Sequence, residues 1–302
     1  MGGQSVKTGI LLAAFGSSSL LGEKALARFA ERTRRAFPGT PVRWAYTSDR
    51  MRSRLAAAGK KTDSVKKALC RMGFERYSHV AVQSLHLIPG VEYEALLEET
   101  EAARRQGGPG HISVGLPLLH DARDVSAASA ALLAHLPEER LPHEPVICMG
   151  HGTWHMGAAS YAALAKAVSK NDERIFIGAL EGDHRIEKLL PVVVAACPPV
   201  GAGPFSGPPA EAGAPSCPAD SVDFPEGARR RVWLLPLLSV IGKHAERDMA
   251  GDNPDSWRSL IEGAGYACRP ILTGTAEYEE FARIWLEHLR VALADLAGPI
   301  AR

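Results

Sequence analysis

Short apolar runs that end in a glycine-bearing loop and lead into a helix recur along this chain, in matching order in its two halves. Val80-Ala81-Val82-Gln83-Ser84-Leu85-His86-Leu87-Ile88-Pro89-Gly90-Val91-Glu92 is one such segment, and the run from Val232 to Gly242-Lys243-His244 is another. Each holds an apolar stretch too short for a helix, then glycine, one spacer and a potential metal ligand. Helix-like sequence follows each, over Tyr93 to Glu99 and Ala245 to Met249. The halves also open alike. Ile10-Leu11-Leu12-Ala13-Ala14-Phe15-Gly16-Ser17 parallels Val146-Ile147-Cys148-Met149-Gly150-His151-Gly152-Thr153, which sets Phe15 opposite His151. Short aliphatic runs alternating with amphipathic stretches are the pattern of βα units and parallel sheets.

The expected elements follow from that alternation. Strands are predicted over 8–14, 41–46, 79–85 and 111–116, with helices over 20–36, 64–73 and 91–106. In the second half strands are predicted over 145–150, 174–179, 231–237 and 267–272, with helices over 155–169, 184–196, 255–264 and 275–296. The expected fold class is α/β, with two similar domains, each a small parallel sheet flanked by helices. At 302 residues there is room for two cores. The boundary is placed to give domains 1–135 and 136–302, with the last helix free to pack back on the first domain. Residues 197–227 are dense in Pro, Gly, Ala and Ser and read as a surface insertion. Phe15 and Glu92 lie 77 positions apart, His151 and His244 93 apart, and the insertion accommodates the extra 16.

Composition narrows the function. A formal net charge of +1 argues against a nucleic-acid protein, which carries a basic face. Local basic clusters remain at Arg50, Arg52 and Arg54 and at Arg229, Arg230 and Arg231, the second read as a solvated face. Five cysteines without a CxxC spacing fit a reducing compartment. The longest apolar stretch, Leu189 to Cys197, contains Pro191 and is too short to span a bilayer. With no signal-peptide pattern before the first strand, the expectation is a cytoplasmic protein without membrane partners.

Ligands of open parallel sheets bind beyond the carboxyl ends of the strands. Glu92, His151 and His244 each follow a predicted strand. Two imidazoles and a carboxylate suit a borderline divalent ion, and three protein ligands leave coordination positions open. Gly150-His151-Gly152 alone is equally consistent with a tight turn. His86 reads as structural, and His155 and His184 as partners that could orient a ligand. Phe15-Gly16-Ser17-Ser18-Ser19 before a helix could receive an anionic group or supply an ordinary N-cap.

These residues carry a resemblance to the anaerobic cobalt chelatases of the class II chelatase superfamily. It runs through Phe15-Gly16-Ser17-Ser18, Ala45-Tyr46-Thr47-Ser48, Gln83-Ser84-Leu85-His86 with Gly90-Val91-Glu92-Tyr93-Glu94, and Gly115-Leu116-Pro117-Leu118-Leu119. It continues through Met149-Gly150-His151-Gly152, Leu235-Pro236-Leu237-Leu238, Gly242-Lys243-His244-Ala245, Asp248-Met249-Ala250-Gly251-Asp252 and Asp255-Ser256-Trp257. The resemblance implies an active site in an interdomain cleft and insertion of Co²⁺ into sirohydrochlorin, with release of two protons. It implies His151, His244 and Glu92 as metal-binding and catalytic residues, Co²⁺ as substrate metal and no organic cofactor. The tetrapyrrole is assigned to Phe15, Ser17 and Ser18, with the Arg50–Arg54 cluster beside the serines for its peripheral carboxylates. The long 197–227 stretch, and Trp154 and Met156 flanking His155, depart from the family pattern.

Metal and proton compete for the same imidazole lone pairs, so activity is expected to fall as histidines protonate. The alternatives are the same chemistry with Fe²⁺, a tetrapyrrole- or metal-binding protein without turnover and, ranked lower, a metal-dependent hydrolase. A homo-oligomer is compatible with the sequence.

Overall fold

A computed structural model of the chain describes residues 6–152, 158–200 and 229–298. They form two compact units, one of the described residues up to 128 and from 276 onward and the other of those between 129 and 275. This division differs from a cut at 135/136 in returning the chain end to the first unit.

The N-terminal unit holds β1 (Thr8–Ala14), β2 (Val42–Tyr46), β3 (His79–Ser84) and β4 (His111–Gly115), all parallel, in the order β2-β1-β3-β4. Its helices are α1 (Leu20–Ala36), α2 (Asp49–Ala57), α3 (Val65–Phe74) and α4 (Val91–Arg105). α5 (Ala122–Ala134) starts in this unit. Alternation along the strands sends Leu11, Ala13, Val80, Val82 and Ile112 to one face, against Leu69 and Met72 of α3 and Leu96 of α4. Each such large apolar side chain, wholly buried, contributes roughly 1.5–3 kcal/mol.

The C-terminal unit repeats the design with β5 (Val146–Gly152), β6 (Ile175–Glu181), β7 (Arg231–Leu237) and β8 (Ala267–Pro270), parallel and ordered β6-β5-β7-β8. Here α6 (Ala158–Ser169), α7 (Ile186–Ala196) and α8 (Trp257–Gly263) alternate with the strands. Ile147, Met149, Val232 and Leu234 build the core with Val193 of α7, Trp257 and Ile261 of α8, and Ala245 and Met249. The two-unit α/β architecture expected from the sequence is thus the observed one.

The final helix α9 (Glu279–Leu296) packs on β3 and β4. Arg32 of α1 adds two bonds to backbone carbonyls, those of Ala276 at 2.7 Å and Glu277 at 2.6 Å.

Two helices lie outside the sequence expectation. α2 carries the charged run Asp49-Arg50-Met51-Arg52-Ser53-Arg54 and buries only Leu55, so it has little apolar periodicity to read. Ser48 starts it, its hydroxyl accepting from Met51 N at 3.2 Å. α5 is rich in alanine and serine, and Asp121 begins it by accepting from the amides of Arg123 and Asp124.

The Arg229–Arg231 run is not the solvated face expected. Arg230 is buried, and Arg231 donates to the buried carboxylate of Glu144 at 2.5 Å while lying over the Trp233 ring. Glu144 also accepts from Trp233 Nε1 at 2.7 Å and Leu141 N at 3.0 Å. Burial pushes the Glu144 carboxyl up, but these donors outweigh it and hold the group below the ordinary glutamate range. Glu144→Ala removes the acceptor from a buried indole N–H and a half-buried guanidinium, with an expected loss of about 2–3 kcal/mol. Chemical denaturation checks this, and a loss below about 1 kcal/mol would place the network among dispensable surface pairs.

Candidate functional site

In a sheet ordered β6-β5-β7-β8 the connections reverse direction between β5 and β7, and ligands of such sheets sit at that switch point. His151 belongs to the end of β5, one strand residue further than expected. His244 follows β7 by one loop and opens a short π-helical turn, His244–Met249. The two rings meet edge to face, centroids 5.1 Å apart and planes at 90°.

The local sequence explains the pairing. Ala245 and Met249 are wholly buried and anchor the π turn, leaving His244 and Asp248 on its other side. His244 Nδ1–H donates to Asp248 Oδ2 at 2.7 Å, which leaves the Nε2 lone pair for a ligand. The His151 Nδ1–H points at Gly152 O, a long 3.4 Å contact with the same consequence. Gly152 has φ +81°, and a Cβ there would lie 2.1 Å from Glu181 O and 2.7 Å from Ala179 Cβ. Glycine therefore lets β5 close on the end of β6 beside the histidine.

That approach sets a carboxylate absent from the sequence expectation beside Gly152. Glu181 is the last residue of β6, exposed, and in register with Gly152. The comparison of the two halves used only the strands flanking each switch point. Extending it to β2 and β6 would have reached Glu181. Among the described residues no group of three or more His, Cys, Asp or Glu side chains is arranged to hold a metal ion.

Glu92 lies in the other unit, as the second residue of α4 after the Gly90 N-cap. There the sheet reverses between β1 and β3, so Phe15 and Glu92 hold the positions that His151 and His244 hold in the C-terminal unit. Phe15 is about one-third exposed at the mouth of β1, and Gly16 turns the chain with φ +96°. Ser17 is buried, its hydroxyl accepting from Ser19 N at 3.1 Å, while Ser18 is exposed. The N-cap of α1 is Ser19, which makes no side-chain cap bond. Arg52 is committed internally. It donates to Thr47 O at 3.0 Å and also to Tyr46 O and Asp49, while Arg50 and Arg54 are exposed. His184 is exposed in the loop after β6, and His155, Trp154 and Met156 lie outside the described residues, as does the 201–227 part of the proline-rich stretch.

His86 has the structural place expected of it. Its Nδ1 meets Ser84 Oγ at 2.9 Å, its Nε2 meets Thr47 Oγ1 at 3.2 Å, and its carbonyl accepts from Leu118 N at 3.0 Å. Burial lowers its pKa to about 4. The unfolded chain takes up that proton first, near 6.5. The stability tied to neutral His86 is therefore full above that pH and is lost as pH falls toward 4. Some surface of His86 stays accessible, so the loss is at most about 3 kcal/mol. Denaturant unfolding at pH 7 and pH 4.5 should show less acid loss in His86→Gln than in wild type; equal losses would contradict this assignment.

The model of the cobalt chelatase (CbiK) family matches residues 8–196 and 224–294. The chain belongs to that family. It is 49% identical over 290 residues to "Sirohydrochlorin cobaltochelatase CbiKC" of Nitratidesulfovibrio vulgaris Hildenborough, covering 96% of this chain and 92% of that protein. It is 30% identical to the sirohydrochlorin cobaltochelatase of Salmonella typhimurium LT2, over 78% and 76% of the two chains. The fold matches SirB from Bacillus subtilis with Fe³⁺, with TM-score 0.62 and 13% identity over 97% and 98%. It also matches CbiX, described as the terminal enzyme of sirohaem biosynthesis in denitrifying bacteria, with TM-score 0.53 and 16% identity over 94% and 99%.

Proposed function

We propose that this protein is a sirohydrochlorin cobaltochelatase in which His151 and His244 receive Co²⁺ and release it to the macrocycle. The observation that carries the site is the pair of perpendicular imidazoles at the switch point of one sheet, each with Nδ1 directed to an oxygen. The family and the two curated relatives support the substrate and the metal.

The reaction exchanges two pyrrole protons for one divalent ion. As cobalt passes from imidazole to macrocycle nitrogens, each freed Nε2 becomes a base able to take one of those protons. Asp248, bonded to His244 Nδ1, stabilises the imidazolium that forms. We assign the third donor to Glu181, on the neighbouring strand in register with Gly152. Glu92 supplies a second carboxylate that assists proton removal, and the exposed Phe15 and Ser18 contact the tetrapyrrole, whereas Ser17, expected to join them, is buried and holds the loop through Ser19 N.

Under anaerobic conditions with excess sirohydrochlorin and Co²⁺, absorbance should follow many turnovers per protein. A change that stops at one equivalent would leave a binding protein without turnover. The roles of the two carboxylates separate in the same preparation. Glu181→Gln should weaken binding of Co²⁺ alone roughly 10–100-fold. Glu92→Gln should leave that binding within a few-fold and lower kcat. The opposite pattern would return the donor role to Glu92.

A further inference from the structure

At the amino-terminal edge of the first sheet two further imidazoles are held together. His79 and His111 are the first residues of β3 and β4, in register across the ladder, with rings stacked at 4.4 Å and 18°. Parallel pairing fixes their backbones, so the pair is set by the sheet and not by flexible loops. The candidate residues Phe15 and Glu92 follow β1 and β3 at the opposite, carboxyl end of this same sheet.

Ser78 completes the arrangement. Its hydroxyl lies 2.9 Å from His79 Nδ1, accepts from Lys7 N at 3.1 Å, and lies 3.4 Å from Lys7 O, to which it donates. With the hydroxyl proton on Lys7 O, Ser78 accepts from Nδ1–H, and the lone pair of His79 rests on Nε2. An oxygen partner on one nitrogen that frees the other is how ligating histidines are oriented. Burial and the neighbouring His111 both hold His79 below the ordinary imidazole range, which favours the neutral, ligating form. Stacked rings hold their in-plane lone pairs side by side, so rotation of the exposed His111 ring out of the stack is what brings its donor nitrogen to an ion about 2.0–2.1 Å from His79 Nε2. Asp295 of α9, bonded by Ser113 two residues along β4 from His111, brings a carboxylate to the same face.

We propose that His79 and His111 form a second divalent-cation site, for the borderline ions that imidazole prefers (Co²⁺, Ni²⁺, Zn²⁺), with water completing the coordination. It is independent of the chelatase reading.

Equilibrium dialysis of the full chain against Co²⁺ alone tests it. His79→Ala and His111→Ala should each bind one equivalent fewer than wild type, and the His151→Ala/His244→Ala double variant should retain that equivalent. In wild type, paramagnetic Co²⁺ should shift or broaden the ring-proton resonances of His79 and His111. Unchanged stoichiometry in the two single variants, or unperturbed ring signals at saturating Co²⁺, would overturn the site. His111 is exposed, so its replacement gives a reading even if His79→Ala fails to fold.

Discussion

His151→Ala and His244→Ala are each expected to lower the kcat of cobalt insertion at least about 100-fold while leaving the fold intact. Loss of a group that only orients a metal ligand costs about 10–100-fold, so loss of the ligand itself should reach the top of that range or pass it. Each imidazole is also asked to act twice, as donor to the incoming ion and as base for a departing proton, and alanine removes both roles. Asp248→Ala should fall within the 10–100-fold range because His244 keeps Nε2 but loses the partner that holds its tautomer. Stability should barely change, since His151 is only partly buried and His244 about half exposed. Steady-state kinetics beside thermal unfolding checks this. A variant with activity within tenfold of wild type would remove its histidine from the mechanism.

The second large effect is on stability. Trp285→Ala is expected to destabilise the N-terminal unit by about 3–5 kcal/mol. Trp285 is wholly buried in α9, meets Phe29 of α1 edge to face at 5.9 Å and 88°, and donates from Nε1 to His86 O at 3.3 Å. One side chain thus ties the last helix, the first helix and the loop after β3. A nearly empty indole site would also strip α9 from β3 and β4, so amide exchange in α9 should accelerate with that in the strands. Trp285→Phe keeps most of the apolar contact and should cost about 1–2 kcal/mol, mainly for the lost hydrogen bond. With two units, unfolding need not be a single transition, so exchange resolved by segment is the decisive readout. Unaltered exchange in α9 would contradict the account.

What the sequence made legible follows from where the physics is local. Strands such as Ile10-Leu11-Leu12 and Val232-Trp233-Leu234 are buried on both faces and read as continuous apolar runs. The glycine-bearing end of β5 and the glycine-bearing loop after β7 mark where His151 and His244 stand. α2 was hidden because it buries one residue, and α5 because alanine and serine give little contrast between faces. The fate of the arginines was unreadable for another reason. Whether Arg231 meets water or Glu144 depends on a partner 87 positions away. Glu181 escaped because it ends β6, outside the strands flanking the switch point, and its place beside Gly152 is set by strand register.

The most direct test of the central claim is the X-ray absorption spectrum of Co²⁺ bound to the protein without tetrapyrrole. Conditions should saturate the tighter site, in a His79→Ala/His111→Ala background so that only one ion contributes. The account predicts two imidazole nitrogens in the first coordination shell, falling to one in His151→Ala and to one in His244→Ala. A shell of oxygen donors alone, or one unchanged by both substitutions, would contradict it.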